Sequence, residues 1–143
     1  MSQQPTVNDI MAAYALDAVD HANTRFHIDL DFSVESVHDV EGILRVLYDD
    51  RPTGVLARIF GWGPSQDVLH TFVMMYGAYV GEVLRREAGG EWFLDTDISP
   101  GFTMPGLRKH DARVWPPARV GKRLSNGPED NVWHYFQAIK ENW

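Results

Sequence analysis

Three polar residues at alternate positions, His27, Asp29 and Asp31, are the group in this sequence best suited to chemistry. They alternate with apolar residues over 25–32, which predicts a short strand or an extended entry to the next helix; a strand would display all three side chains on one face. Such side chains can ligate a hard metal ion or act as general acid and base. Same-face residues on a strand lie about 6–7 Å apart, so one ion would need further ligands from elsewhere. The alternative is a solvated strand face, with Asp31 bonding the backbone near the start of the next helix.

A second candidate is Glu82, which lies three residues before Arg85 and four before Arg86 in a long helical pattern. This order favours ion pairs on a helix surface, each contributing about 0.2–0.5 kcal/mol. Gly77 and Gly81 lie nearby and predict close approach of a helix or of the strand at 92–94. We therefore expect Glu82 to be partly buried and to reach a main-chain amide or a cation from 113–123. Glu82 with Arg85 is either a structural salt bridge or part of a catalytic site.

Motifs that bind cofactors or metals are absent from the sequence. There is no P-loop, dinucleotide-binding glycine motif or nucleophile elbow, and no cysteine. Five further histidines show no metal-binding i, i+4 pairing: His21, His38, His70, His110 and His134. We therefore expect neither a cofactor nor a metal centre.

The longest helical pattern, over residues 65–90, is predicted to be the central helix. Its large apolar residues recur at helical spacing, with Ser65 as a possible cap and Gly89 and Gly90 as the stop. The apolar face consists of Leu69, Phe72, Val73, Tyr76, Val80, Val83 and Leu84.

The other elements follow from shorter patterns. Thr6 and Asp9 form a capping box for a helix over 7–23, whose predicted apolar face is Ala12, Leu16, Val19 and Ala22. A second helix is predicted over 33–50 with Ser33 as its cap, and residues 51–64 are predicted to be mainly loop, with a brief helical turn over 55–60.

In the last third of the chain, strands are predicted over 91–95 and 112–115 and are expected to pair with each other. The glycine- and proline-rich stretch 95–111 between them is predicted to be a loop or irregular hairpin. A short helix begins at Pro117, and a final helix begins at Pro128 and carries Val132, Phe136, Ile139 and Trp143 inward. The predicted fold is α+β, with about four main helices packed around a small two- or three-stranded sheet.

Length and composition predict one globular domain over 1–143. The chain is 44% hydrophobic, but no apolar run reaches the roughly 18–20 residues that span a bilayer, so we expect no membrane segment. The first ten residues have neither the basic region nor the apolar region of a secretion signal, which favours the cytoplasm.

Charge is unevenly distributed along a chain of net charge −7. Residues 1–50 hold ten Asp or Glu against two arginines, so an acidic surface that meets a basic protein partner is expected. Residues 108–123 hold six Arg or Lys against one Asp. The overall acidity, with a pI of about 5.2, would repel a polyanion, and nucleic-acid binding is disfavoured.

Three blocks carry a family resemblance: LDFSVESV at 30–37, GAYVGEVLRREAGGEW at 77–92 and PARVGKRLSNGPED at 117–130. In this order they resemble a family of small bacterial domains of unknown function. The resemblance implies a compact α+β unit, in places like those of bacterial immunity-type proteins, and carries no activity with it.

Two functions follow from these observations. The leading one is a non-enzymatic cytoplasmic protein-binding module, immunity-like or regulatory, with an acidic first half that meets a basic partner. The alternative is a small hydrolase or metal-dependent enzyme that uses His27, Asp29 and Asp31, or Glu82 with Arg85. An enzyme requires at least two of those side chains to converge in a concave pocket.

Overall fold

A computed structural model describes residues 4–50 and 66–143 of the chain. In these ranges the helices are α1 (Val7–Phe26), α2 (Ser36–Asp49), α3 (Gln66–Ala88), α4 (Pro116–Asn126) and α5 (Val132–Asn142). The strands are β1 (Glu91–Ser99), β2 (Phe102–Lys109) and β3 (Ala112–Val114). The α+β class is confirmed, with five helices in the described ranges instead of about four. The predicted loop at 51–64 with its turn at 55–60, and the predicted cap Ser65, lie outside those ranges.

Helix α1 begins at the predicted capping box. The Asp9 N–H donates to Thr6 Oγ1 at 3.1 Å, and the Thr6 N–H donates to Asp9 Oδ2 at 3.0 Å. The buried face was predicted only in part, since Ala22 is buried and Val19 packs against the core, but Leu16 is 55% exposed. The helix packs closely on α3 through a seam of mostly small residues, Met11, Ala15, Ala18 and Ala22.

Of the two forms predicted for 25–32, the strand is wrong, and the residues after α1 form an extended entry to α2. Helix α1 continues to Phe26, and His27 ends it in the left-handed conformation with φ 57°. Phe32 also has a positive φ, and its N–H donates to the Tyr79 hydroxyl at 2.8 Å. Leu30 is buried between exposed neighbours, as in a strand. The N–H groups of Phe32 and Ser33, however, donate to the side chains of Tyr79 and Asp31 and not to a neighbouring strand.

The central helix α3 ends where predicted, because Gly89 and Gly90 follow it with φ values of 88° and 125°. It packs chiefly against α1 and α4. Its fully buried segment contributes Tyr76, Tyr79, Val80, Val83 and Leu84 to the core.

The sheet is antiparallel, in the order β1-β2-β3. Of the two forms predicted for 95–111, the irregular hairpin is confirmed, since β1 and β2 pair with a register shift between Asp95 and Ser99. The predicted pairing of β3 with β1 is wrong, because β3 pairs with β2. The glycine that suggested a loop is a point of close approach, since a Cβ at Gly106 would lie 2.8 Å from the Phe93 ring and 2.9 Å from Trp115. Trp92 pairs with Leu107, and Leu94 with Pro105.

The C-terminal helices follow the predictions only in part. Helix α4 begins at a proline pair and buries Val120 and Leu124. Pro128 begins a 3-10 turn, Pro128–Asp130, instead of the last helix. Asn131 caps α5, accepting from the His134 N–H at 3.0 Å, and α5 buries Val132 and Phe136.

Candidate functional site

The three alternating residues lie on the connection between α1 and α2, and all are exposed. Asp29 Oδ1 accepts from the Asn23 side chain at 2.6 Å. Asp31 Oδ1 accepts from the Ser33 N–H at 3.0 Å, and hydrogen bonds from Ser33 lower the pKa of Asp31. His27 occupies the C-cap of α1. Each has a local structural role, and across 4–50 and 66–143 no three His, Asp or Glu side chains are grouped to hold a metal ion.

Glu82 and Arg85 are brought together at the junction of α3 and β1. Glu82 is only 2% exposed, and its Oε2 accepts from Trp92 Nε1 at 3.0 Å and from Arg85 Nη1 at 3.4 Å. The expected partner for the buried carboxylate, an amide or a cation of 113–123, is replaced by the Trp92 indole. The cluster joins strand to helix, and Arg86 lies instead over the Phe32 ring, 3.6 Å from its centroid.

A second buried carboxylate was missed from the sequence. Arg123 is 1% exposed, and its Nε donates to both oxygens of Glu41 at 3.0 Å, with Nη2 3.0 Å from Oε2. The Val132 N–H donates to Glu41 Oε1 at 2.9 Å. Glu41 lies four residues after Val37, on the buried face of α2, so its place in the helical pattern was a usable signal.

The basic stretch 108–123 is not a free cationic face. Besides buried Arg123, Arg119 pairs with Asp130 at 2.8 Å and Lys109 donates to the Ala88 carbonyl. Arg108 and Arg113 lie over the Phe93 ring, with 5.5 and 5.3 Å to its centroid. Most of these cations therefore serve packing and pairing within the fold.

The acidic first half is a surface feature. Nine of its ten carboxylate residues are exposed, the exception being Glu41. Local cations are few, and the ion pair between Arg45 and Asp49 is long, at 3.9 Å, and open to solvent. The two arginines of this half, Arg25 and Arg45, can balance at most two of the nine exposed carboxylates, so a negative surface remains.

The β1–β2 hairpin carries the clearest exposed apolar feature of the described residues. Exposure rises along β1 from 4% at Trp92 to 51% at Leu94 and 52% at Ile98, and Phe102 at the start of β2 is 45% exposed. We call the exposed apolar residues at this end of the hairpin, Leu94, Ile98 and Phe102, the hairpin strip; the pairing of Leu94 with Pro105 and of Ser99 with Phe102 places Leu94 and Phe102 on opposite faces of the hairpin. The hairpin therefore extends past the core, and β1 is an edge strand of the described sheet.

His21 lies in an aromatic cluster between α1 and α3. Its Nδ1 is 2.6 Å from the Tyr76 hydroxyl, and its ring contacts Phe26 and Phe72. Burial, and then the charge of Arg25, lower the pKa of His21 below its ordinary value of 6.5. Burial also raises the pKa of Tyr76. The pair is a neutral hydrogen-bonded contact at neutral pH.

This lowered pKa predicts a pH-dependent stability. The folded protein binds the His21 proton less readily than the unfolded chain, so the stabilisation is complete above pH 6.5 and is lost as pH falls through the lowered pKa. The variant His21→Phe should show a smaller fall in Tm between about pH 7 and about pH 5 than the native chain. Parallel Tm curves for the two proteins would contradict this assignment.

Comparisons with protein-family models, with curated proteins and with solved structures find no significant match. Within the described part of the chain, none of the helices combines the length and apolar character needed to cross a membrane. The function of the protein is therefore inferred from the arrangement of its surfaces and side chains.

Proposed function

We propose that this protein is a non-enzymatic cytoplasmic binding module, immunity-like or regulatory, that engages a basic protein partner through its β1–β2 hairpin and its acidic surface. The observation that carries the proposal is the hairpin strip. Large apolar side chains that stand half exposed on an extended ribbon cost solvation free energy in the isolated protein, and a partner that covers them recovers it.

The charge distribution supports a basic partner. Nine exposed carboxylates lie in the first 50 residues, while most of the cations of 108–123 are engaged with acidic, aromatic or carbonyl groups of the same chain. Complementary charge speeds association and restricts the choice of partner more than it adds affinity. Apolar contact at the strip would supply most of the binding free energy.

The enzymatic alternative has weaker support. Neither of the two described grooves, one beside Arg123 and one beside Gly121, is lined by any of its candidate residues. Those residues, His27, Asp29, Asp31, Glu82 and Arg85, have cap, turn and junction contacts that account for their positions.

The test compares two double variants with matched exposure. L94T/I98T removes apolar area from the hairpin strip while keeping β-branched residues in the strand, and L16Q/V46Q removes similarly exposed residues from α1 and α2. Each protein is immobilised and exposed to lysate of its source organism, and the retained proteins are identified. We expect a basic protein on the native and L16Q/V46Q beads, with retention by L94T/I98T reduced about tenfold or more.

The second part of the test repeats the capture at two ionic strengths. Capture at an ionic strength of about 0.5 M should be slower and weaker than at about 0.05 M, because screening shortens the reach of the acidic surface while the apolar contact remains. Equal retention by L94T/I98T and the native protein, or a captured protein of acidic charge, would contradict the proposal. Circular dichroism of each variant confirms that the fold is intact.

A further inference from the structure

A groove of about 600 Å³ lies between α2 and the segment that joins α4 to α5. Its lining includes apolar Ile28 and Pro128, polar His38 and Asn131, and the buried Arg123. Small-molecule sites commonly have volumes of about 300–1,000 Å³, with an apolar wall and a few convergent polar groups. The groove has the size and composition of such a site and is separate from the hairpin strip.

Arg123 contributes an unsatisfied donor to this region. Glu41 engages the edge of the guanidinium formed by Nε and Nη2. Nη1 is buried and has no hydrogen-bond partner among the described residues. A guanidinium stays protonated at all relevant pH values. A buried N–H donor without a hydrogen-bond acceptor is energetically unfavourable. An acceptor supplied by a ligand would complete the hydrogen bonding of Arg123.

Gly42 leaves space on the same groove. It lies in the interior of α2, where glycine is less favourable than alanine. A Cβ built on Gly42 would meet nothing within 4 Å, so no packing contact requires glycine there. This differs from Gly77 and Gly81, where neighbouring atoms fill the space. The absent side chain keeps one wall of the groove open.

Charges around the groove balance. Asp39 and Glu41 oppose Arg45 and Arg123 in its lining, and Glu41 already neutralises Arg123. A phosphate or another dianion would find no excess of positive charge, while an uncharged carbonyl oxygen can accept from Arg123 without repulsion from Glu41. We propose that this groove binds a small uncharged ligand whose carbonyl oxygen accepts from Arg123 Nη1 and whose body occupies the space beside Gly42.

This inference does not depend on the proposed protein partner. Its test uses the full chain labelled with ¹⁵N, with titrations followed at the arginine side chains and at the Gly42 amide. Benzamide and benzoate are the main probes because they share a shape and differ in charge, and inorganic phosphate is the third. We expect saturable shifts at Arg123 and Gly42 with benzamide, and binding of benzoate and phosphate about tenfold weaker or less.

Two variants of Gly42 test the location without disturbing the buried ion pair. Gly42→Ala adds a methyl group in open space and should keep benzamide binding. Gly42→Leu fills the groove and should weaken binding about tenfold or more while preserving the helix. The proposal is overturned by the absence of a saturable benzamide shift, by tighter binding of benzoate or phosphate, or by equal benzamide binding in Gly42→Leu and Gly42→Ala.

Discussion

Replacing Glu41 with alanine is expected to lower the free energy of unfolding by about 3–5 kcal/mol, since removal of one partner leaves the charge of Arg123 buried and unpaired. Arg123 is 1% exposed, and Glu41 accepts from two of its nitrogens. Glu41 also accepts from the Val132 N–H at the start of α5. Its loss therefore leaves three buried donors without this acceptor and loosens the junction of α2, α4 and α5. Chemical denaturation followed by circular dichroism measures the change.

The exposed ion pair between Arg45 and Asp49 provides the control for Glu41→Ala. Asp49 pairs with Arg45 on the same helix, but the two side chains are 58% and 74% exposed, so Asp49→Asn should cost no more than about 1 kcal/mol. A loss for Glu41→Ala as small as that of Asp49→Asn would show that the buried pair does not contribute as described.

A double variant separates charge from hydrogen bonding. In E41Q/R123M no charge remains buried, and Gln retains a carbonyl oxygen that can accept from the Val132 N–H. Buried ion pairs can often be replaced by apolar groups with little loss, so the double variant should be more stable than Glu41→Gln alone. If it is less stable, the guanidinium contributes through contacts other than the ion pair, such as its position 5.6 Å from the Tyr48 ring centroid.

Local sequence signals located the helices because each signal depends on nearby residues, although the predicted cap Ser33 is wrong, since α2 begins at Ser36 after Glu35. The Thr6 and Asp9 capping box begins α1, and Gly89 and Gly90 end α3, as their conformational preferences require. The α2 stripe of Val37, Val40 and Leu44 is buried as the helical period indicates. These features need no knowledge of the rest of the fold.

Failures occurred where tertiary contacts decide the conformation. The alternation at 27–32 is shared by a strand and by an extended segment, and the contact from the Phe32 N–H to the Tyr79 hydroxyl, 47 residues away, selects the second. Gly106 is a residue type typical of loops, but here it lies in a strand because the Phe93 and Trp115 side chains leave no space for a Cβ. In both places a distant aromatic residue determined the outcome.

The candidate site was least predictable for the same reason. Glu41 and Arg123 are 82 residues apart, and no local pattern pairs them. The expectation for Glu82 was half right: its burial followed from the neighbouring glycines, but its partner, Trp92, belongs to a strand whose position is set by the packing of β1 on α3. Sequence patterns could predict that Glu82 is buried, but they could not predict that Trp92 is its partner.

Gly77→Ala is expected to destabilise the protein by about 1–3 kcal/mol, even though alanine is the better helix former by roughly 1 kcal/mol. A Cβ at Gly77 would lie 2.4 Å from Pro117 Cα and 2.8 Å from Pro117 N. These are backbone atoms at the start of α4, so the clash is relieved only by moving a whole helix off the core. The predicted role of the glycine patch in receiving a neighbouring element is confirmed here, and at Gly81 by the Trp92 ring.

Gly121→Ala is the matched control for Gly77→Ala, because it makes the same chemical change in a helix where space exists. Its Cβ would be 3.7 Å from the Val73 side chain, an ordinary van der Waals contact. Helix propensity then dominates, and the variant should gain roughly 0.5–1 kcal/mol. The two substitutions should therefore change the free energy of unfolding in opposite directions in the same denaturation experiment. A gain in stability for Gly77→Ala would mean that α4 can shift at Pro117 at little cost. The close contact between α3 and α4 would then contribute little to the stability of the fold.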